Sequence, residues 1–302
     1  MKKKLLIAGA NGHLGTVVVH AALKRGYAVR AADMVLDRLA DIKNDALETV
    51  KIDVTNRQSL GAAVEGVDAV LSTVGLWKER PPLYTYETVD GNGNINLFDA
   101  AAKKGVDKVV YISILNAEKA KVARVMLAKR RVERFLEEGD LNYTVFRPAG
   151  LFHDFVEVFR PQILRGRVSA IGDGTIRLQP LSPDDLAECM VDAVINSGAD
   201  RKIFDIAGPE QYTYREAIAF IAEAMGMRVK ISSLPVFAAK ILTRVIHAIK
   251  PDSFIPPDFI EILTMDSVAE IEPVKKVFSR EFRKIHPYLE KHLSSYHEKN
   301  KG

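Results

Sequence analysis

Three glycines near the N-terminus stand at the spacing that phosphate chemistry needs. Gly9, Gly12 and Gly15 fall at intervals of three in the stretch Lys-Leu-Leu-Ile-Ala-Gly-Ala-Asn-Gly-His-Leu-Gly. Without side chains, the backbone there can turn tightly and approach a pyrophosphate. The unpaired N–H groups that open the following helix, from Asn11 through Gly12, His13, Leu14 and Gly15, meet its charge. Asp33 follows Gly15 by eighteen residues, near the roughly 20 at which an acid accepts hydrogen bonds from an adenine ribose. Other chemistries find little support. Cys189 is the only cysteine, so there is no disulfide framework or Cys-based metal cluster, and no group of His and acids has metal-ligand spacing.

The elements around these residues follow from the apolar pattern. Leu5 to Ala8 is apolar without alternation, as in a strand buried on both faces of a parallel sheet. Leu14, Val17, Val18, Ala21 and Ala22 recur at helical spacing and stop at Gly26, and Tyr27 to Ala32 is a second strand ending at Asp33. The glycines therefore sit where a strand turns into a helix, inside a βαβ unit. Strands follow at Glu48–Val54, Val67–Val74, Lys108–Ser113 and Asn142–Phe146, with helices from near Asn56, at Ile95–Ala101 and at Ala117–Glu138, and a loop at Leu76–Tyr86. The end of the strand at Val74 and Gly75 should face the ligand, because ligands sit outside the carboxyl ends of parallel strands.

This alternation predicts an α/β fold, a Rossmann-type doubly wound parallel sheet over residues 1–150. A smaller C-terminal α/β lobe for substrate or partner spans 151–302. Its pattern is looser, with a mixed stretch at Leu151–Ile176, a helix at Pro183–Ile195, a strand at Lys202–Ala207 and a helix opened by the capping pair Thr213 and Glu216.

Composition excludes some classes. A net charge of +4 over 302 residues does not argue for nucleic acid. No apolar run approaches the roughly 20 residues of a membrane span, and the run after Met1-Lys-Lys-Lys is too short for a signal sequence. A cytoplasmic protein is the expectation. Over 235–250, Lys240, Arg244, His247 and Lys250 share one helix face while apolar residues cover most of the rest. Such a helix is either a lobe helix with a solvated basic face or a peripheral contact with an anionic membrane or protein.

The Gly9-x-x-Gly12-x-x-Gly15 spacing, the segment Val89-Asp-Gly-Asn-Gly-Asn and the turn Arg147-Pro148-Ala149-Gly150 resemble the extended and atypical branches of the short-chain dehydrogenase/reductase superfamily. The NmrA-like branch fits best, with its redox sensors and its accessory subunit of respiratory complex I. The resemblance implies a dinucleotide cofactor. It also implies that Asp53 accepts from the adenine amino group while the Val54 N–H donates to the ring, and that Pro148 borders the nicotinamide. Asp53 has an alternative role, capping the helix near Asn56. NAD is expected over NADP. Asp33 repels a 2′-phosphate, and Met34 stands where NADP-binding relatives usually carry arginine. Arg30 should point away from the ribose, whereas Arg38 is placed to swing in.

Standard members of that superfamily reduce carbonyls with a Ser, a Tyr and a Lys. Here Lys129 aligns with the Lys, which would hold the nicotinamide ribose unless it is a surface lysine. Val125 stands in place of the Tyr and Leu115 in place of the Ser, with Ser113 two residues short. Lys129 and Ser113 are thus the catalytic candidates, and His153, Tyr84 and Tyr86 the candidate replacement proton donors. Two functions remain open, an NAD(H)-dependent oxidoreductase lacking the standard Ser-Tyr pair and a non-catalytic dinucleotide-binding regulator or accessory subunit.

Overall fold

The fold was analysed in a computed structural model that describes residues 3–249 and 257–299. The chain begins with β1 (Lys4–Ala8), α1 (His13–Lys24), β2 (Ala28–Asp33), β3 (Leu47–Lys51), α2 (Arg57–Val64) and β4 (Ala69–Ser72). A wide helical turn over Tyr86–Gly93 leads into α3 (Asn94–Lys103), then β5 (Lys108–Ile112), α4 (Arg124–Glu138) and β6 (Tyr143–Pro148). Next come α5 (Phe152–Ile163), β7 (Arg167–Ile171), β8 (Arg177–Leu178), α6 (Pro183–Asp192) and β9 (Lys202–Ile206). The remainder is β10 (Tyr212–Thr213), α7 (Tyr214–Ala224), β11 (Lys230–Leu234), α8 (Val236–Ile249), α9 (Phe259–Leu263), α10 (Glu272–Phe278) and α11 (Ile285–Lys299).

Seven strands form one sheet in the order β3-β2-β1-β4-β5-β6-β9, and every pairing in it is parallel. This is the doubly wound α/β sheet that the sequence predicts. The strands of its centre are buried on both faces, which is why they read as apolar runs rather than as alternations. One face packs on α1 and α6, where Val18, Val19, Cys189 and Met190 join Leu5, Ile7 and Val110. The other packs on α2, α3 and α4, where Leu60, Leu97 and Val132 meet Leu6, Val70 and Val109. A separate core unites α5, α7 and β7 through Phe152, Phe159, Ile218 and Val168.

Chain order reverses direction between β1 and β4, so the sheet opens a crevice at their C-terminal ends. The stretch after residue 150 is not confined to the lobe. It supplies β9 to the main sheet, paired with β6, and α6 to the face covered by α1.

Two helices differ from the sequence expectation. The helix expected over Ala117–Glu138 is a 3₁₀ turn at Ala117–Lys119 followed, after a break, by α4. The break exists because the N–H groups of Lys121, Val122 and Ala123 donate to the Glu261 carboxylate at 2.6–2.9 Å instead of to their own chain. The mixed stretch after Leu151 contains a full helix, α5, with Pro161 in its last turn.

Candidate functional site

The glycine loop is shaped by contacts that no side chain would allow. Gly9 has φ +77°, and a Cβ there would lie 2.8 Å from the Thr73 and Val74 backbone. A Cβ on Gly15 would collide with the Gly9 carbonyl and come within 2.8 Å of Ala10 Cα. These two glycines therefore seat the loop against β4 and against the start of α1. Gly12 differs. Its backbone is extended, it stands at the N-cap of α1, and no side chain caps the helix. The first N–H groups of α1, which have no partner within the helix, are thus left for an anion.

Asn11 ties this loop to the end of β2. Its backbone N–H donates to Asp33 Oδ2 at 3.0 Å and its side-chain amide to Asp37 Oδ1 at 2.7 Å, while its Oδ1 accepts from the Arg38 N–H at 2.9 Å. Asp33 also accepts from the Met34 N–H at 2.7 Å. A carboxylate offers about four acceptor sites, so these two bonds leave room for two ribose hydroxyls. Arg30 is turned onto the far side, bound to Glu48 and to the carbonyls of Ala63 and Glu65. Arg38 is exposed, and its charge helps to depress the His13 pKa.

A crevice of about 160 Å³ runs between these elements, lined by Gly9, Gly12, Asp33, Asp53, Val54, Thr73, Val74 and Gly75, with Met34, Ile52, Leu76, Tyr84 and Val89 completing it. Asp53 and Val54 lie just past the end of β3. The Asp53 carboxylate accepts from Thr55 at 2.9 and 2.6 Å, and Tyr84 Oη stands 3.4 Å from its other oxygen. The cap of α2 is Asn56, which accepts from the Gln58 N–H, so the capping role weighed for Asp53 is corrected. Leu14 and Gly15 lie outside this lining; Leu14 packs on the main core.

At the other end of the crevice, Lys129 is not a surface lysine. Its side chain is 12% exposed and its Nζ donates to the Ile112 carbonyl at 3.1 Å, with Asp90 Oδ1 at 3.5 Å and the Tyr111 ring at 5.4 Å. Asp90, 1% exposed, is held through Oδ2 by the Leu76 N–H at 3.0 Å while Oδ1 has no hydrogen-bond partner. Burial pushes the Asp90 carboxyl up and Lys129 only partly opposes this. Both groups lie under Gly75, where a Cβ would sit 2.9 Å from Asp90 Oδ1. The sequence reading missed Asp90. Its signal was a single acid in a run of Gly and Asn.

The places where the standard pair would stand are packed. Val125 joins Tyr86, Met126 and Ala128 in an apolar cluster with Leu76, Ile114 and Phe259, and Leu115 packs with Ala149 and Ala207. Tyr86 is part of that wall. It is 1% exposed, and burial, then Glu79, raises its hydroxyl pKa well above the ordinary range, which removes it as a donor to a ligand. Tyr84 lies on the Asp53 side of the crevice, away from Lys129. Ser113 is buried with its Oγ unpartnered, behind the end of β5. Pro148 ends β6 and its carbonyl accepts from the Leu115 N–H at 3.1 Å. The neighbouring Arg147 is bound to Glu133 of α4 at 2.8 and 2.6 Å, which fixes the Arg-Pro-Ala-Gly turn to the helix that carries Lys129.

A second cavity, of about 640 Å³, opens beside the glycine loop between His13, Trp77, His153, Asp154, Glu157, Val158, Pro161 and Gln162. The His13 and His153 rings lie 5.0 Å apart, and His153 Nε2 is 2.9 Å from Asp154 Oδ1. Burial, then His153 and Arg38, lowers the His13 pKa, so it is a neutral imidazole at neutral pH. The two cavities adjoin twice along the chain, at Gly12-His13 and at Leu76-Trp77. Among the described residues no group of three or more His, Cys, Asp and Glu could hold a metal, and no helix is long and apolar enough to cross a membrane.

Comparison with known proteins matches this geometry. A family model described as NAD(P)H-binding matches residues 9–197. Photosystem II assembly factor Ycf39 from Cyanophora paradoxa is 26% identical over 232 residues, covering 77% of this chain and 72% of that protein. The 40 kDa subunit of NADH-ubiquinone oxidoreductase from Neurospora crassa is 23% identical over 282 residues, covering 90% and 73%. The solved structure of an NADPH-dependent quinone oxidoreductase from Escherichia coli, complexed with NADPH, superposes with a TM-score of 0.78 at 15% identity, covering 96% of this chain and 99% of that one.

Proposed function

The chain belongs to the NAD(P)H-binding family, and on that premise we propose that it is an NAD(H)-dependent reductase of conjugated acceptors such as quinones or activated alkenes. The observation that carries the reading is the cavity walled by His13, Trp77 and His153 against the glycine loop. In this reading the N–H groups that open α1 hold the pyrophosphate, which the bare Gly12 lets approach, Asp33 holds the adenine ribose, Asp53 and Val54 the adenine, and Lys129, kept in place by Asp90, the nicotinamide ribose under Gly75. Asp33 makes NAD(H) the preferred dinucleotide. The open, uncapped helix start fits such a ligand.

The bound cofactor would supply a hydride. The chain would supply the rest. Trp77 lines the cavity with an aromatic side chain, and His153 gives one proton, so that hydride and proton together turn a quinone into a hydroquinone. Hydride addition to such an acceptor does not require the Tyr that Val125 replaces. Reduction of ordinary ketones and aldehydes does benefit from a positioned acid, by roughly 10²- to 10⁴-fold, and should be poor here. The lobe of 151–302 contributes His153, Asp154 and Glu157 to the substrate side.

A second reading, a dinucleotide-binding regulator or accessory subunit, is favoured by the apolar wall of Val125, Tyr86 and Met126. One experiment separates the two. The purified chain is titrated calorimetrically with NADH and then mixed with a water-soluble quinone, a ketone or an aldehyde while reduced-nicotinamide absorbance is followed. The reductase reading expects turnover with the quinone and at least about 10²-fold less with the carbonyls. Binding without turnover of any acceptor supports the accessory reading, and absence of binding overturns both.

A further inference from the structure

The helix α8 is built inside out. Of the fourteen large apolar residues that stand exposed among the described residues, six lie on this one helix: Phe237, Ile241, Leu242, Val245, Ile246 and Ile249. Phe237 is 69% exposed and Ile249 81%. The face toward the protein is instead small or polar. Ala239 is its one buried residue, and Thr243 beside it returns its hydroxyl to the Ala239 and Lys240 carbonyls at 2.9 and 3.2 Å. An ordinary lobe helix buries its apolar stripe and solvates its charges. Here Lys240 and Arg244 are solvated as expected, but the apolar residues stand in solvent beside them instead of being buried.

Residues on a helix turn by roughly 100° each. Ile241, Val245 and Ile249 therefore run along the outward line, Phe237 and Leu242 flank them, and Lys240 and Arg244 fall together at one border of the apolar arc. That arc spans roughly half the helix circumference, wider than the narrow i, i+3, i+4, i+7 stripe that a protein groove reads. From Pro235 to Lys250 the sequence has no Asp or Glu; Lys250 itself lies outside the described residues. A broad apolar face bordered by cations and free of acids is complementary to an anionic bilayer surface. The apolar side chains can enter the acyl boundary while the lysine and arginine stems reach back to the phosphates.

We infer that Val236–Ile249 is an interfacial helix that docks this protein on anionic lipid. The inference is independent of the reaction in the crevice. It is tested by co-sedimentation of the full chain with vesicles of phosphatidylcholine alone and of phosphatidylcholine mixed with phosphatidylglycerol. The expected result is binding to the mixed vesicles, weakened by salt and reduced on phosphatidylcholine alone. Removing two charges with Lys240→Gln and Arg244→Gln should lower the partition constant by about twenty-five-fold, since each cation near such a surface contributes about fivefold.

Ile241→Glu with Val245→Glu should abolish binding while leaving thermal unfolding and NADH titration unchanged, because both side chains stand in solvent. The lipid and salt comparisons use the unaltered protein and hold whether or not a variant folds. Absence of binding to the mixed vesicles overturns the inference. So does self-association without lipid that the double-Glu variant abolishes, which would make the face an interface between two copies of this chain.

Discussion

The choice between NAD(H) and NADP(H) can be worked from Asp33. Its carboxylate is pinned by the Asn11 and Met34 N–H groups at 3.0 and 2.7 Å, so it cannot swing away from a 2′-phosphate as an unrestrained side chain would. That phosphate carries about −1.5 to −2 charges. At about 5 Å and an effective dielectric near 20, −1.5 charges against one carboxylate come to about 5 kcal/mol. Asp33 is only half-buried, and solvent screening reduces this to about 2–3 kcal/mol, or roughly 30- to 150-fold in affinity at 1.4 kcal/mol per tenfold. The native protein should therefore bind NADH more tightly than NADPH by a factor of that order in calorimetric titration.

Asp33→Ser with Met34→Arg removes the repulsion and adds a partner, and should invert the ratio. Arg38→Ala is the control, since Arg38 is the cation nearest the loop that the wild type could offer a phosphate; it should leave NADH affinity unchanged. Equal or tighter NADPH binding by the native protein, or a ratio that does not move in the double variant, refutes the assignment of Asp33 to the ribose.

Gly15→Ala should weaken dinucleotide binding at least tenfold and destabilise the fold by about 1–3 kcal/mol, because the new Cβ meets backbone that cannot yield. Gly12→Ala, whose Cβ would meet only the Gly9 carbonyl at 3.2 Å, should affect binding with a smaller loss in thermal melts; equal melting losses at the two positions would count against the loop geometry. Glu133→Gln removes a fully buried charge from Arg147 and Arg130 and should cost on the order of 3 kcal/mol in urea unfolding at neutral pH. Burial alone would raise the Glu133 pKa, but the Arg147 bonds bring it below the ordinary glutamate value of 4.5. Its contribution is thus present above that value and lost as pH falls through the folded one, so the gap between wild type and variant should close in acid; a constant gap refutes the charge argument.

Lys129→Met leaves Asp90 buried without its cation. An acid whose folded pKa is raised holds a proton that the unfolded chain has released, so this variant should lose stability as pH rises above 3.8, by about 1.4 kcal/mol per pH unit until the folded value is passed. A pH dependence in urea unfolding no stronger than the wild type's would show that Lys129 does not compensate Asp90. Removing the proposed donor with His153→Gln should lower quinone turnover by roughly 10²-fold or more and leave NADH affinity unchanged; unchanged turnover would move the proton source elsewhere.

The sheet was legible in the sequence because its inner strands are buried on both faces, and burial on both faces writes itself as an uninterrupted apolar run. The glycine loop and Asp33 were legible because backbone approach and acid spacing are local properties. What depends on distant partners was not. Nothing near residues 120–123 announces that Glu261, more than a hundred residues later, takes their N–H groups and breaks the helix. For Lys129 the sequence leaves a ribose-binding lysine and a member of a surface run with Arg130 and Arg131 both open, because its partner Asp90 lies far away in the chain, beneath Gly75. The three candidate donors look alike in sequence, yet folding buries Tyr86, sends Tyr84 to the side of Asp53 and leaves His153 in a cavity. For α8 the periodicity gave the helix but not which face would turn inward, since the small residue Ala239 rather than the larger ones makes the contact.

The pairing of β6 with β9 sets an order on biosynthesis. When the ribosome has delivered the first 150 residues, β6 is still a bare edge, its Tyr143-Thr-Val-Phe row offering unsatisfied N–H and C=O groups to any passing strand. The partner strand is more than fifty residues away, roughly three to ten seconds at ordinary elongation rates. The apolar face of α1 likewise stays bare until α6 has been made, shortly before β9. The main sheet therefore stays incomplete until residue 206 has been made, and a nascent chain stalled before that point is the form most exposed to aggregation. Delivery of residues 183–206, rather than any contact within the first half, is what closes the sheet.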